Sequence, residues 1–143
     1  MPFEFLDDVA IADIAFAAWG ETVEEAFRAA ADATMNVMVE DLDSIAPLER
    51  RRIAHDGDSL EALLFDILQD QIYLKDAEVL LTRIAEIAIR ETGSGFHVDA
   101  TLGGERIDRV RHRLRVDVKA VTLQRFAFGR TDRGWEASVI LDI

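Results

Sequence analysis

Apolar residues alternate with small or polar ones near both ends of the chain and recur at helical spacing in its middle. Alternation predicts a short strand over residues 3–6 and a second strand over residues 11–19, which Gly20 ends. The sequence Thr22-Val-Glu-Glu25 is a capping box and predicts the start of a helix. This helix is expected to reach about Asp41 and to pack across a sheet through one face: Val23, Phe27, Ala30, Thr34, Val37 and Met38.

The sequence Asp58-Ser-Leu-Glu61 has the same capping pattern and predicts the start of a second helix. It should run to about Lys75 with a continuous apolar face: Leu60, Leu63, Leu64, Ile67, Leu68 and Ile72. Between the helices, residues 41–47 are predicted as a loop, 50–55 as a strand and 56–58 as a turn. The rest of the chain favours strands over residues 79–90, 96–102, 116–128 and 135–143.

Two glycines, Gly103 and Gly104, are expected to follow the 96–102 strand, and Thr131-Asp-Arg-Gly134 predicts a hairpin turn before the last strand. These elements predict an α+β fold in a single compact domain spanning residues 1–143. Its two main helices would pack against a largely antiparallel β-sheet.

The last predicted strand places charge at an ordered end of the chain. One face carries Trp135, Ala137, Val139 and Leu141, and the other carries Glu136, Ser138, Ile140 and Asp142. Because the strand pattern continues to the final residue, Asp142 and the carboxylate of Ile143 should hold two negative groups in a defined position.

Composition narrows the function classes. Half of the 143 residues are hydrophobic, there is no cysteine, and the net charge is −12. Thiolate zinc sites and cysteine nucleophiles are therefore excluded. With neither a signal-peptide pattern nor a membrane-length apolar run, a cytoplasmic protein is expected. The negative charge attracts cations and disfavours strong direct binding to nucleic acid; the oligomeric state is left open.

Several polar clusters have an ordinary structural interpretation. His55, His97 and His112 lie far apart and are interpreted as structural or solvated. Asp41-x-Asp43 is not an EF-hand, since Ala46 and Arg52 replace the required Gly and Glu. Asp66 and Asp70 share a helix face, where a solvated surface is favoured over a bound cation.

Three further features leave alternatives open. A solvated strip is favoured for Arg106, Arg109, Arg111, Arg113 and Arg115, with phosphate or an acidic partner as the alternatives. Lys119 lies between apolar neighbours in a predicted strand and is expected to have an assigned partner. Asp13 interrupts an apolar strand, and an outward orientation of its side chain is the default interpretation. If Asp13 instead met Asp142 beside the Ile143 terminus, the oxygen ligands gathered there would favour Ca²⁺ or Mg²⁺ over zinc.

The chain resembles the archease family along nearly its whole length. The shared blocks are Glu4-Phe-Leu-Asp7, Ala12-Asp13, Trp19-Gly20, Glu24-Glu-Ala-Phe27, Gly104-Glu105, His112, Val118-Lys-Ala-Val-Thr122 and Trp135-Glu-Ala-Ser-Val-Ile-Leu-Asp-Ile143. The resemblance implies an accessory factor, not an enzyme. This factor would promote guanylylation and multiple turnover of an RtcB-type RNA ligase in tRNA splicing or RNA repair.

The same resemblance implies a divalent-metal site, Ca²⁺ before Mg²⁺, held by Asp13, Asp142 and Ile143, and a partner-facing role for Lys119. Two positions depart from the family pattern. Residues 8–13 form a longer stretch without the usual histidine, and Gln124 stands where a histidine is common. A metal-dependent or chaperone-like module acting on another partner is the alternative function, and a small metallohydrolase is disfavoured because no general base is clearly placed.

Overall fold

The computed structural model describes residues 2–7 and 13–143. In chain order the elements are β1 (Phe3–Leu6), β2 (Asp13–Gly20), α1 (Val23–Met38), β3 (Glu49–Gly57), α2 (Leu60–Glu78), β4 (Leu80–Glu91), β5 (Phe96–Arg106), β6 (Ala120–Val121), β7 (Ala127–Thr131) and β8 (Gly134–Asp142). In the described part of the chain, two α-helices, a short 3-10 helix (Leu42–Ser44) and two antiparallel sheets form one domain, which confirms the predicted α+β class.

The strands divide between two sheets. The five-stranded sheet has the order β1-β2-β8, and β6 and β7 both pair with the other edge of β8. The three-stranded sheet has the order β3-β5-β4. Strand β8 is therefore the centre of the larger sheet, and β2 is its full-length partner.

Helix α1 begins at the predicted capping box. The Thr22 hydroxyl accepts from the Glu25 amide at 3.1 Å, and the Glu25 carboxylate accepts from the Thr22 amide at 3.4 Å. The helix ends at Met38, short of the predicted Asp41, because Val39 turns into extended backbone and bridges to Leu114. Most of its residues are buried.

Helix α2 also packs against the core. Its N-cap is Ser59, not the predicted Asp58, and it continues past Lys75 to Glu78. The helix packs against both sheets, and the core that it shares with α1 includes Phe16, Phe27, Leu102 and Leu141. At its end Val79 takes a left-handed backbone conformation, with φ of 56°.

The predicted β-run over residues 116–128 is wrong. Within it, only Ala120–Val121 and the start of β7 (Ala127–Thr131) form strands. The backbone before Ala120 does not join a sheet, because the Val116 amide donates to the Val37 carbonyl near the end of α1. Gly103 and Gly104 lie inside β5, not after it. A Cβ at Gly104 would lie 1.8 Å from the Leu81 carbonyl oxygen, so only glycine fits there.

Two further boundaries also changed. The turn predicted at residues 56–58 begins later, since β3 includes Asp56 and Gly57, whereas the hairpin turn between β7 and β8 is confirmed. The start of the second strand predicted at residue 11 lies outside the described residues. Within the described part of the chain, no helix is long and apolar enough to cross a membrane.

Candidate metal centre at the end of strand β8

Two carboxylates face each other where β2 begins and β8 ends. The antiparallel register pairs Asp13 directly with Asp142. Residues that oppose each other in this way project from the same face, with Cβ atoms about 4.5–5.5 Å apart. Both are partly buried. Like charges in this arrangement repel each other, and a cation between them would remove the repulsion.

The neighbouring strand adds a third element to this end of the sheet. Ala120 pairs with Asp142 on the side away from Asp13, and the Lys119 amide donates to the Asp142 carbonyl oxygen at 2.8 Å. Ile143, the last residue of the sequence, is half-buried and packs against the core. The three proposed metal ligands and Lys119 thus occupy one corner of the fold.

The side chain of Lys119 differs from its expectation. It precedes β6 instead of lying inside an apolar strand, and it is exposed to solvent. Among residues 2–7 and 13–143, no carboxylate oxygen lies within 4 Å of its ammonium group. Lys119 therefore exposes its ammonium group to solvent at the edge of this corner.

The donor set of this corner fits a hard divalent cation. Asp13, Asp142 and the Ile143 terminus offer only carboxylate oxygens, which suit Ca²⁺ and Mg²⁺. Among the described residues there is no group of three or more His, Cys, Asp or Glu side chains suited to a metal ion. The main-chain carboxylate of Ile143 would have to supply the third protein ligand.

A groove of about 470 Å³ runs along the same outer face of the sheet. Its lining includes Ala15 and Ile140, which form the next pair on this face after Asp13 and Asp142. Leu6, Asp7 and Arg125 line its sides. The carboxylate pair therefore lies beside a concave surface.

The two departures from the family pattern have different outcomes. Residues 8–12, which hold the longer stretch without a histidine, lie outside the described residues. Gln124 is exposed in the turn after β6.

Each of the three histidines contacts carboxylates within the fold. His55 Nε2 lies 2.5 Å from Asp70, and Nδ1 lies 3.9 Å from Asp66. This imidazole lies against the two helix carboxylates, for which a solvated face had been predicted. Asp56 and Asp99 flank His97 at 2.7 and 3.0 Å, and the Asp56 hydrogen bond foremost raises the pKa of His97.

The third histidine belongs to a buried cluster around Glu105. His112 Nδ1 accepts from the Asp108 amide at 2.9 Å, so its Nε2 carries the proton that it donates to Glu105 at 2.9 Å. The Ala46 amide and the Arg111 guanidinium also donate to Glu105. Burial raises the pKa of this carboxyl, but the donors outweigh that effect and hold its pKa at about 2.

A second buried charge, Lys75, was missed from the sequence. Its ammonium group, with a side chain 8% exposed, contacts Asp76, Asp117 and the Val118 carbonyl. Burial lowers the pKa of Lys75, yet the two carboxylates outweigh burial and raise it. The signal was present, since Lys75 follows Ile72 by three positions on the buried face of α2.

Comparisons with known proteins all point to one family. A model of the archease protein family matches residues 3–143. Two curated relatives, both named protein archease, are 34% identical over 142 residues in Methanosarcina mazei and 35% identical over 141 residues in Methanothermobacter thermautotrophicus. Alignment covers 99% of this chain in each case, and 95% and 98% of the relatives.

Two solved structures share the fold. The solution structure of protein 1598 from Methanobacterium thermoautotrophicum has a TM-score of 0.83 and 34% identity, with 99% of each chain covered. The crystal structure of an archease from Thermotoga maritima, described as a possible chaperone, has a TM-score of 0.63 and 20% identity. That alignment covers 94% of this chain and 93% of the other, and it supports the fold alone.

Proposed function

Because the chain belongs to the archease family, we propose that it is an accessory factor of an RtcB-type RNA ligase. It would promote guanylylation and repeated turnover of that ligase through a divalent cation held by Asp13, Asp142 and the Ile143 carboxylate. One observation carries this proposal: the register of β2 and β8 sets Asp13 directly opposite Asp142.

The residues at this corner divide into two roles. Asp13 and Asp142 oppose each other on one sheet surface, and their carboxylate oxygens would be the ligands of the cation. When bound, a divalent cation would neutralise these carboxylates and offer open coordination positions to a partner group. Lys119 is exposed at the same corner and would supply a cation for partner contact. The catalytic groups of the reaction belong to the ligase, and the protein acts where the ligase does, in the cytoplasm.

The test is guanylylation of the purified cognate ligase with labelled GTP and a divalent metal, with and without the protein. Wild type should increase both the guanylylation rate and the number of RNA ends joined per ligase. Asp142→Asn and Asp13→Asn should each reduce the effect by about tenfold or more, since losing even an outer-sphere group costs about 10–100-fold in metal affinity. Lys119→Glu should weaken stimulation without altering metal binding.

Asp58→Asn is the matched control, because it removes the same charge at an exposed turn away from this corner. If wild type leaves the ligase unchanged, the proposed function is wrong. If wild type stimulates and Asp142→Asn stimulates equally, the metal role is wrong while the accessory role stands.

A metal-dependent or chaperone-like module acting on another protein is the second candidate. The Thermotoga maritima archease, which shares the fold, is described as a possible chaperone. Capture of partners from cell extract separates the two candidates, because a Ca²⁺-dependent partner other than the ligase would support this one.

A further inference from the structure

The segment 107–119 between β5 and β6 exposes apolar side chains on a charged protein. Val110 is 97% exposed, Val116 is 41% exposed and Leu114 is 37% exposed. Clustered exposed apolar residues mark interaction surfaces on soluble proteins. The segment is held in place at both ends, by Glu105 through Arg111 and His112, and by bonds of Arg115 and Val116 to the end of α1.

Leu114 and Val116, but not Val110, line a groove of about 420 Å³ between the segment and the junction of α2 with β4. Met38, Leu81 and Ile107 contribute buried or partly buried apolar surface. Val79, Leu114 and Val116 form more exposed walls. The groove therefore offers an apolar slot that a large aliphatic or aromatic side chain can fill.

Three cationic side chains and two carboxylates line this groove, although the chain as a whole carries −12. Two carboxylates, Asp76 and Asp117, line it, but both contact the ammonium group of Lys75. The other charged lining residues are Arg109 and Arg115, and neither has a carboxylate oxygen within 4 Å among the described residues. Two guanidinium groups are thus left to pair with an incoming anion.

The backbone at Val79 carries strain in this wall. A β-branched residue at φ of 56° is a genuine outlier, and glycine is the usual residue just after a helix. Strain of this kind persists where the surrounding structure fixes it, and it clusters at functional sites. The valine side chain, 46% exposed, contributes an apolar wall that glycine would not.

We propose that this groove binds an acidic segment of a partner protein, with one large apolar side chain in the slot and carboxylates against Arg109 and Arg115. The identity of that partner as the ligase rests on the proposed function above. RNA fits less well, because the lining, as far as the described residues form it, has no aromatic side chain for base stacking and includes two carboxylates. The proposed contact is separate from the metal ligands, so it contributes affinity and orientation.

The test measures the Kd of the purified cognate ligase for fluorescently labelled protein, and compares two double variants. Arg109→Glu with Arg115→Glu should weaken binding by at least about tenfold, because carboxylates would then face the acidic segment. A tenfold change corresponds to about 1.4 kcal/mol of binding free energy. Arg52→Glu with Arg90→Glu is the matched control. It makes the same change of charge on the exposed face of the three-stranded sheet and should bind as wild type does.

Two single variants guard against misfolding. Arg109→Glu alone should leave the fold intact, since none of the side-chain hydrogen bonds found among the described residues involves Arg109. It should still weaken binding, because it replaces a cation of the groove by a carboxylate. Val79→Gly should keep or raise the thermal midpoint, because it relieves the left-handed backbone, and yet weaken binding severalfold. A Val79→Gly variant that binds the ligase as tightly as wild type would contradict the slot.

The outcomes separate this inference from the proposed function. Binding weakened by the arginine variants supports the groove even if guanylylation does not respond to wild type. Stimulated guanylylation with unchanged Kd in the arginine variants overturns the groove and leaves the function standing. If the arginine variants lose binding to a labelled single-stranded RNA but keep the wild-type affinity for the ligase, the surface binds RNA. If wild type is a dimer and the arginine variants are monomers, the surface binds a second copy of the chain. Either result overturns the proposal.

Discussion

At the scale of single residues, Glu105 is a buried carboxylate whose pKa is lowered to about 2. Its side chain is 6% exposed and accepts from Ala46, His112 and Arg111. A buried carboxylate is tolerated only when such donors compensate the lost hydration. Glu105 therefore fixes the 107–119 segment to the end of β5, and the groove described above depends on that anchor.

Glu105→Gln should lower the free energy of unfolding at pH 7 by roughly 1–3 kcal/mol, because the amide keeps the shape of the side chain but loses charge-assisted hydrogen bonds. The pKa of Glu105, about 2, lies below its ordinary value of 4.5. Its contribution is therefore complete above about pH 4.5 and is lost as the pH falls toward about 2. Urea unfolding between pH 7 and pH 2.5 measures both effects.

The variant should lose less stability than wild type on acidification, since it has no carboxyl to protonate at this position. Glu91→Gln, at the exposed end of β4, is the control and should follow the wild-type pH dependence. Parallel acid profiles for wild type and Glu105→Gln would show that Glu105 is not held ionised by its neighbours.

At the scale of elements, local patterns predicted structure where the determinants lie close in sequence. The Thr22–Glu25 box predicted the start of α1 because both reciprocal bonds join residues three positions apart. The hairpin turn before β8 was predicted for the same reason. Segment 107–119 was partly mistaken for strand, because its alternating apolar residues line a groove and its amides bond to the distant carbonyls of Val37 and Met38.

Thr22→Ala should destabilise the protein by about 1 kcal/mol, because the first turn of α1 loses the hydroxyl that accepts from Glu25. For a domain of this size the thermal midpoint should fall by roughly 3 °C. Circular dichroism melting measures the change. Thr22→Ser keeps the hydroxyl and should melt within about 1 °C of wild type; equal losses for the two variants would assign the effect to the methyl group.

At the scale of the whole molecule, β8 brings distant parts of the chain together. Asp13 and Asp142 are far apart in sequence, and no local pattern determines that their strands pair in this register. Asp13 was distinguishable from the sequence only as a charge in an apolar run, and the pairing with Asp142 followed from the family resemblance. Long-range register depends on the complete fold, so the sequence alone left the arrangement open.

A cation held between Asp13 and Asp142 would join β2 to β8 and stabilise only the folded chain, since unfolding separates the two carboxylates. Ca²⁺ at a hundredfold excess over Kd should add about 2.7 kcal/mol to the free energy of unfolding. The thermal midpoint should rise by roughly 5–10 °C. Calorimetry with Ca²⁺, Mg²⁺ or chelator measures this shift, and Asp142→Asn should abolish it.

Net charge provides the competing explanation, because any divalent cation screens repulsion in a chain of −12. Asp58→Asn removes one exposed charge elsewhere, and NaCl at equal ionic strength screens without coordinating. A specific site requires that Asp58→Asn keep the full Ca²⁺ shift, that Asp13→Asn and Asp142→Asn lose it, and that NaCl fail to reproduce it. Equal Ca²⁺ shifts in all three variants would reduce the effect to screening and remove the metal from the proposed function.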